Sequence, residues 1–179
     1  MDTLIRAATR LKPLFPDLQV AIGGSGRDEK RLRALARRLG APVTFLGRVP
    51  DELLGEWLGA SDLMVMDCRS RWFGLEQEGF GIVFVEAAAT GVAQIAGRSG
   101  GSHEAVQNNV TGFVVADSRS DDLLSKAIRT LMEDDDRRRD FGRASREAAV
   151  ERFDWDTLAA RLSSELAPFD HFEGTNRLP

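Results

Sequence analysis

Glu78-Gly79-Phe80-Gly81-Ile82-Val83-Phe84-Val85-Glu86 decides the reading of this 179-residue chain. A strand-like run, Leu63-Met64-Val65-Met66, precedes it across a loop over 67–77. An apolar, helix-prone run follows from Ile82 to Ala89 and is ended by Gly91. Strand, glycine loop and helix in that order are the ligand-facing unit of a parallel α/β sheet. Gly79 and Gly81 carry no Cβ, so a ligand can approach their backbone closely. The free N–H groups and positive dipole end of a helix starting near Gly81 suit a phosphate. Glu78 stands at the mouth, and Glu86 lies about one and a half turns in, roughly 7 Å along the helix axis. The two carboxylates can therefore meet different parts of one ligand. The same unit also occurs in parallel sheets without a ligand, so these residues leave a nucleotide site and a plain structural unit both open.

Outward from this stretch, strands and helices alternate. Residues 1–15 read as an amphipathic helix with Leu4, Ile5, Ala8, Leu11 and Leu14 on one side. Residues 18–22 read as a short strand, Gly23-Gly24-Ser25-Gly26 as a turn, and 28–39 as a second helix ended by Gly40. Val43-Thr44-Phe45-Leu46 is a strand, and Gly47-Arg48-Val49-Pro50 a turn into a helix that reaches residue 58. Beyond the central stretch come a strand over 92–96, a glycine-rich loop over 97–102, the opening of a short helix at 103–106, and a last strand, Gly112-Phe113-Val114-Val115. Helices over 120–132 and 134–152 follow, then one capped by Asp154 and ending at residue 166. The alternation predicts an α/β fold with a doubly wound, parallel, Rossmann-like sheet. It spans one domain over 1–168, with a disordered tail over 169–179.

Composition narrows the function classes. The chain is 42% hydrophobic and 29% charged with a net charge of −4, which supports a globular core and offers no basic face for nucleic acid. Arg27, Lys30, Arg31, Arg33, Arg37 and Arg38 read as a solvated helix face, since no aromatic platform accompanies them. A single cysteine, Cys68, excludes a disulfide framework and a cysteine zinc site, and fits a reducing, cytoplasmic setting. With only His103 and His171, a histidine metal cluster is not expected. Trp57, Trp72 and Trp155 read as packing residues, with Trp72 also able to border an acceptor.

The pattern Glu78-x7-Glu86 around Gly79-Phe80-Gly81 resembles the signature of retaining, family 4 glycosyltransferases of the two-Rossmann-domain (GT-B) type. Five further segments agree in order: Val20 to Gly26, Phe45 to Pro50, Ile95 to Glu104, Thr111 to Val115 and Phe153-Asp154-Trp155. Within the family the wording is most similar to actinobacterial, GDP-mannose-dependent phosphatidylinositol mannosyltransferases. The resemblance implies that this is the C-terminal, donor-binding half. Glu78 would meet the donor sugar's hydroxyls and leaving phosphate, and is the residue nearest to catalysis. Gly79, Phe80 and Gly81 would line the sugar. Ile82 and Val83 would offer N–H groups to the diphosphate, and Glu86 would hold the ribose hydroxyls. Arg48 and Val49 would flank the base, with Gly23, Gly24 and Gly26 lining the nucleotide cleft and Ser99, Gly100 and Gly101 facing it. No metal and no cofactor are implied. The donor is a substrate, GDP-mannose, and the acceptor a lipid or glycan met through another domain, at the inner face of the membrane. His103 reads as a loop residue without a catalytic role.

One departure from the family carries a physical expectation. The family's donor half opens with a strand and then a loop bearing an arginine and a lysine. Met1-Asp2-Thr3-Leu4-Ile5 resembles the residues that come after them. In the strand order 3-2-1-4-5-6 that first strand is central. Without it, two strands should expose unpaired edges, and the 179-residue chain should be inert by itself. Two other readings remain open: a noncatalytic nucleotide-sugar-binding or regulatory module, and a non-hydrolysing sugar-nucleotide epimerase.

Overall fold

The structure, a computed structural model, describes residues 1–68, 81–99, 101 and 105–167. In chain order it contains α1 (Asp2–Leu11), β1 (Val20–Gly23), α2 (Glu29–Leu39), β2 (Val43–Gly47), α3 (Asp51–Gly59) and β3 (Leu63–Met66). These are followed by α4 (Ile82–Ala89), β4 (Ala93–Gly97), β5 (Gly112–Val115), α5 (Asp121–Glu133), α6 (Asp135–Phe153) and α7 (Trp155–Leu166). Residues 168–179, which include the tail read over 169–179, and residues 103–104 of the helix opening at 103–106 lie outside the described residues.

The local reasons for these elements are visible in the sequence. Helix α1 stops at Leu11, short of residue 15, because Pro13 has no N–H to continue the ladder. Helix α2 ends on Gly40, whose φ of 59° suits a residue without a Cβ. The starts of the last three helices are capped by side chains. Ser120 accepts from the Leu123 N–H, Asp134 from Arg137, and Asp154 from Asp156 and Thr157.

Among the described residues every pairing between strands is parallel, as strand–helix alternation predicts. Among the described residues, however, the sheet is in two pieces, β2-β1 and β3-β4-β5. Strand β4, paired on both sides, is buried at all five positions. Two apolar clusters cover its faces. One joins α1, α5 and α6 through Leu4, Leu11, Ile95, Leu124, Leu131 and Phe141. The other joins Met64, Phe84, Val92, Ala96 and Val106. A third cluster, of Ile5, Ile22, Leu32, Leu35 and Ala36, seats β1 between α1 and α2. Helix α6 approaches so closely that a Cβ on Gly142 would stand 2.1 Å from the Gly91 carbonyl oxygen.

Two tryptophans differ from the packing role expected of them. Trp155 is 84% exposed at the start of α7, a helix with no buried residue. Trp57 is 45% exposed on α3, which also buries none of its side chains. Trp72 lies outside the described residues. The basic face of α2 is solvated as expected: Arg31 and Arg33 pair with Asp28 and Glu29, and Arg33 covers the Phe45 ring at 4.6 Å.

Candidate functional site at the carboxyl edge of the sheet

Parallel strands send all their carboxyl ends to one edge, where the loops meet. Three hydrogen-bonded or packed junctions organise that edge here. The turns after β1 and β2 close on each other: the Gly24 N–H donates to the Gly47 carbonyl at 2.6 Å. Gly24 and Gly47 have φ of 102° and 68°, values that side chains rarely tolerate. A Cβ on Gly23 would stand 3.2 Å from Val49 Cγ2, so the fold brings Gly23, Gly24 and Val49 together. Gly26 accepts from the Glu29 N–H at 3.1 Å and opens α2. Arg48 is exposed beside Val49.

The second junction is the start of α4. Gly81 takes a left-handed φ of 76°, and its carbonyl accepts from the Phe84 N–H at 2.8 Å. Ile82 is 69% exposed, and Val83 is half-buried. Backbone N–H groups in a first helical turn have no carbonyl partner within the helix, which leaves Ile82 and Val83 able to donate outward. Glu86 is exposed one turn on from Ile82, on the same side of the helix. Glu78, Gly79, Phe80 and Gly100 lie outside the described residues.

The third junction links β3, β4 and the segment after β5. Ser118 Oγ donates to the Cys68 carbonyl at 2.7 Å, and Thr3 Oγ1 donates to the Ser118 carbonyl at 3.0 Å. The Arg98 N–H donates to Val115 O at 3.1 Å. A Cβ on Gly97 would collide with Cys68 O at 2.3 Å and with Asp67 Oδ1 at 2.7 Å. Ser99 is only 3% exposed, and Gly101 is half-buried. Asp67 and Ser118 were not singled out from sequence, and Gly97 was read only as part of the glycine-rich loop. The one available signal for Asp67 was its place directly after an apolar strand, at the edge where ligands bind in such sheets.

The start of α1 belongs to the same edge. Asp2 lies 3.7 Å from Arg31 near the start of α2, opposite the Thr3–Ser118 contact. Arg31 is held further into its charged range, chiefly by its hydrogen bond to Asp28. The edge thus offers outward N–H groups, exposed Arg48 and Arg98, and the Glu86 carboxylate around glycine turns. That combination can hold an anionic ligand bearing hydroxyls.

Comparison with known proteins agrees with this architecture. The family described as glycosyl transferases group 1 matches residues 1–148. A GDP-mannose-dependent alpha-(1-6)-phosphatidylinositol monomannoside mannosyltransferase of Mycobacterium tuberculosis is 42% identical over 167 residues, covering 92% of this chain and 43% of that protein. A GDP-mannose-dependent monoacylated alpha-(1-6)-phosphatidylinositol monomannoside mannosyltransferase of Corynebacterium glutamicum is 41% identical, with the same shares covered. Anabaena HepE, solved in complex with UDP and glucose, superposes with a TM-score of 0.78 at 26% identity, covering 93% of this chain and 44% of that one. The chain therefore spans less than half the length of these three relatives. No helix among the described residues is long and apolar enough to cross a membrane. With its parallel α/β architecture and this match, the chain belongs to the glycosyl transferases group 1 family and has the fold of the C-terminal half of a GT-B glycosyltransferase.

Proposed function

We propose that this chain is the donor-nucleotide half of a retaining mannosyltransferase that uses GDP-mannose and a lipid or glycan acceptor of the phosphatidylinositol class. The observation that carries the reading is 42% identity, over 92% of the chain, to a protein described as GDP-mannose-dependent. The geometry of the carboxyl edge supports it. The diphosphate meets the outward N–H groups of Ile82 and Val83, where the helix dipole favours negative charge. Glu86, one turn further, accepts hydrogen bonds from the ribose hydroxyls. The base enters between the Gly23-Gly24 turn and Val49, beside Arg48. Glu78, by its family resemblance, contacts the donor sugar and acts as a donor-binding and electrostatic residue.

In the reaction the bond from the anomeric carbon to the diphosphate breaks. The acceptor oxygen bonds to that carbon on the same face, and its proton passes to the departing phosphate oxygen. Helix-end N–H groups and cationic side chains stabilise the charge on the leaving group, and no metal is assigned to the step. The acceptor is met by a further domain at the cytoplasmic face of the membrane, so the 179-residue chain by itself binds donor without transferring sugar.

Calorimetric titration with GDP, UDP and ADP tests the reading. GDP should bind most tightly, and Glu86→Ala should weaken it about tenfold or more, the cost of a charged hydrogen bond. Equal binding of the three nucleotides would remove the donor assignment. An unchanged affinity in Glu86→Ala would remove its ribose role.

A further inference from the structure

Strand β4 carries one polar side chain in the middle of its buried run, Gln94, which is 1% exposed. It stands between Met64 on β3 and Gly112 on β5. Its side chain crosses to α4, where Nε2 donates to the Phe84 carbonyl oxygen at 2.8 Å. The layer between β4 and α4 is apolar: Met64, Phe84, Ala87, Ala96 and Val106 pack there. Gln94 Oε1 is buried with no hydrogen-bond partner among the described residues. A buried amide oxygen without a partner costs more than one neutral hydrogen bond contributes. A leucine or methionine of similar volume would fill the same space with no orphaned group. The strand therefore carries a local conflict in its best-buried stretch, and conflicts of that kind gather where function requires them.

What the bond holds is the first turn of α4. Phe84 is the third residue of that helix, and its own N–H closes the turn on the Gly81 carbonyl at 2.8 Å. Its carbonyl is the one that Gln94 holds, so a single residue ties Gly81 to the buried strand β4. Helix α4 has no side-chain cap at its start among the described residues, unlike the three helices that close the chain. Phe84 is fully buried, while Ile82, two positions before it, is 69% exposed at the carboxyl edge. The turn is thus anchored on one side and open on the other, and its Ile82 and Val83 N–H groups have no carbonyl partner within the helix. We infer that Gln94 is a positioning residue for the donor diphosphate: its hydrogen bond to Phe84 fixes the first turn of α4 so that those two N–H groups keep their aim on the phosphate. This role deepens the donor-nucleotide reading and rests on it. Gln94 touches no substrate and acts through Phe84, because the alignment of the N–H pair sets how strongly the anion is held.

The test sets affinity against stability. Gln94→Leu and Gln94→Met are each measured by calorimetric titration with GDP and by urea unfolding, beside the unaltered chain. Both substitutions remove the donor and the orphaned oxygen together. The urea midpoint should stay level or rise, while GDP affinity should fall about threefold or more. Leu131→Ala, which weakens the fold from the opposite face of β4, should lower the midpoint and leave GDP affinity unchanged. Unchanged GDP affinity in the Gln94 variants would overturn the proposal. So would a midpoint that falls in step with affinity, since Gln94 would then be a packing residue alone. Where one variant loses its cooperative transition the other carries the comparison, and loss in both would also overturn it. Absence of GDP binding by the unaltered chain would remove the donor reading and this role with it, whereas unchanged affinity in the variants removes the role alone.

Discussion

The two pieces of the sheet are built from the same kind of unit but bury themselves unequally. Strand β4 has a partner on each side and is buried at all five positions, whereas β1 has one partner and one buried residue, Ile22. Helices follow suit. Helix α5 buries Leu124, Ile128 and Leu131 against the β4 piece, while α3, between the two pieces in sequence, has no fully buried residue and packs only Leu58, half-buried, against the Met64–Phe84 cluster. Apolar sequence is thus fully buried here where a strand paired on both sides lies underneath to receive it. The difference lies in neighbours and not in composition, since α3 carries Leu53, Leu54, Trp57 and Leu58 within a single helix of nine residues.

Substitutions can break or sharpen that contrast. The largest effect is expected for Gly112→Ala in the β4 piece, where a Cβ would stand 2.1 Å from the Gln94 carbonyl oxygen. Forcing two strands apart should cost about 3 kcal/mol or more, read as a fall in the urea midpoint. Leu131→Ala, in a fully buried position, should cost about 2–5 kcal/mol by the same measurement. On the other side, Gly55→Ala in α3 meets nothing within 4 Å and should stabilise by about 0.5–1 kcal/mol through helix propensity. A loss at Gly55 would mean that α3 is more tightly packed than its exposure indicates. Smallest is Arg31→Ala, which removes exposed pairs to Asp28 and Asp2 and should shift stability by less than about 1 kcal/mol. Because the Arg31 pKa is raised in the fold, that contribution is complete at neutral pH and fades only as pH rises through its strongly alkaline range.

Much of this was legible in the sequence because each signal was local. Gly40, Gly81 and Gly91 mark turns where φ is positive, and Asp154 caps a helix as its position suggests. Helix α4 begins at Ile82 and ends at Ala89, where the apolar run does. Gly23-Gly24-Ser25-Gly26 and Gly47-Arg48-Val49-Pro50 were readable as turns, and their direct contact is what the structure adds. Less legible were features set by distant partners. Gly97, Asp67 and Ser118 meet because three strands end together, which no spacing in the chain encodes. Trp155 and Trp57 carry large apolar surfaces whose burial depends on what covers α7 and α3, so their type suggested packing and their setting gives exposure. Strand order implies unpaired edges, yet only the structure displays the lined cavity between the two pieces.

The most direct test of the nucleotide site is an amide-resolved NMR titration of the chain with GDP. The expected result is a saturable set of shifts confined to Gly23, Gly24, Gly47, Val49, Ile82, Val83 and Glu86, all near the carboxyl edge. Shifts gathered elsewhere, or a spectrum unmoved by GDP while Ile95 stays protected in β4, would contradict a donor-nucleotide site at that edge.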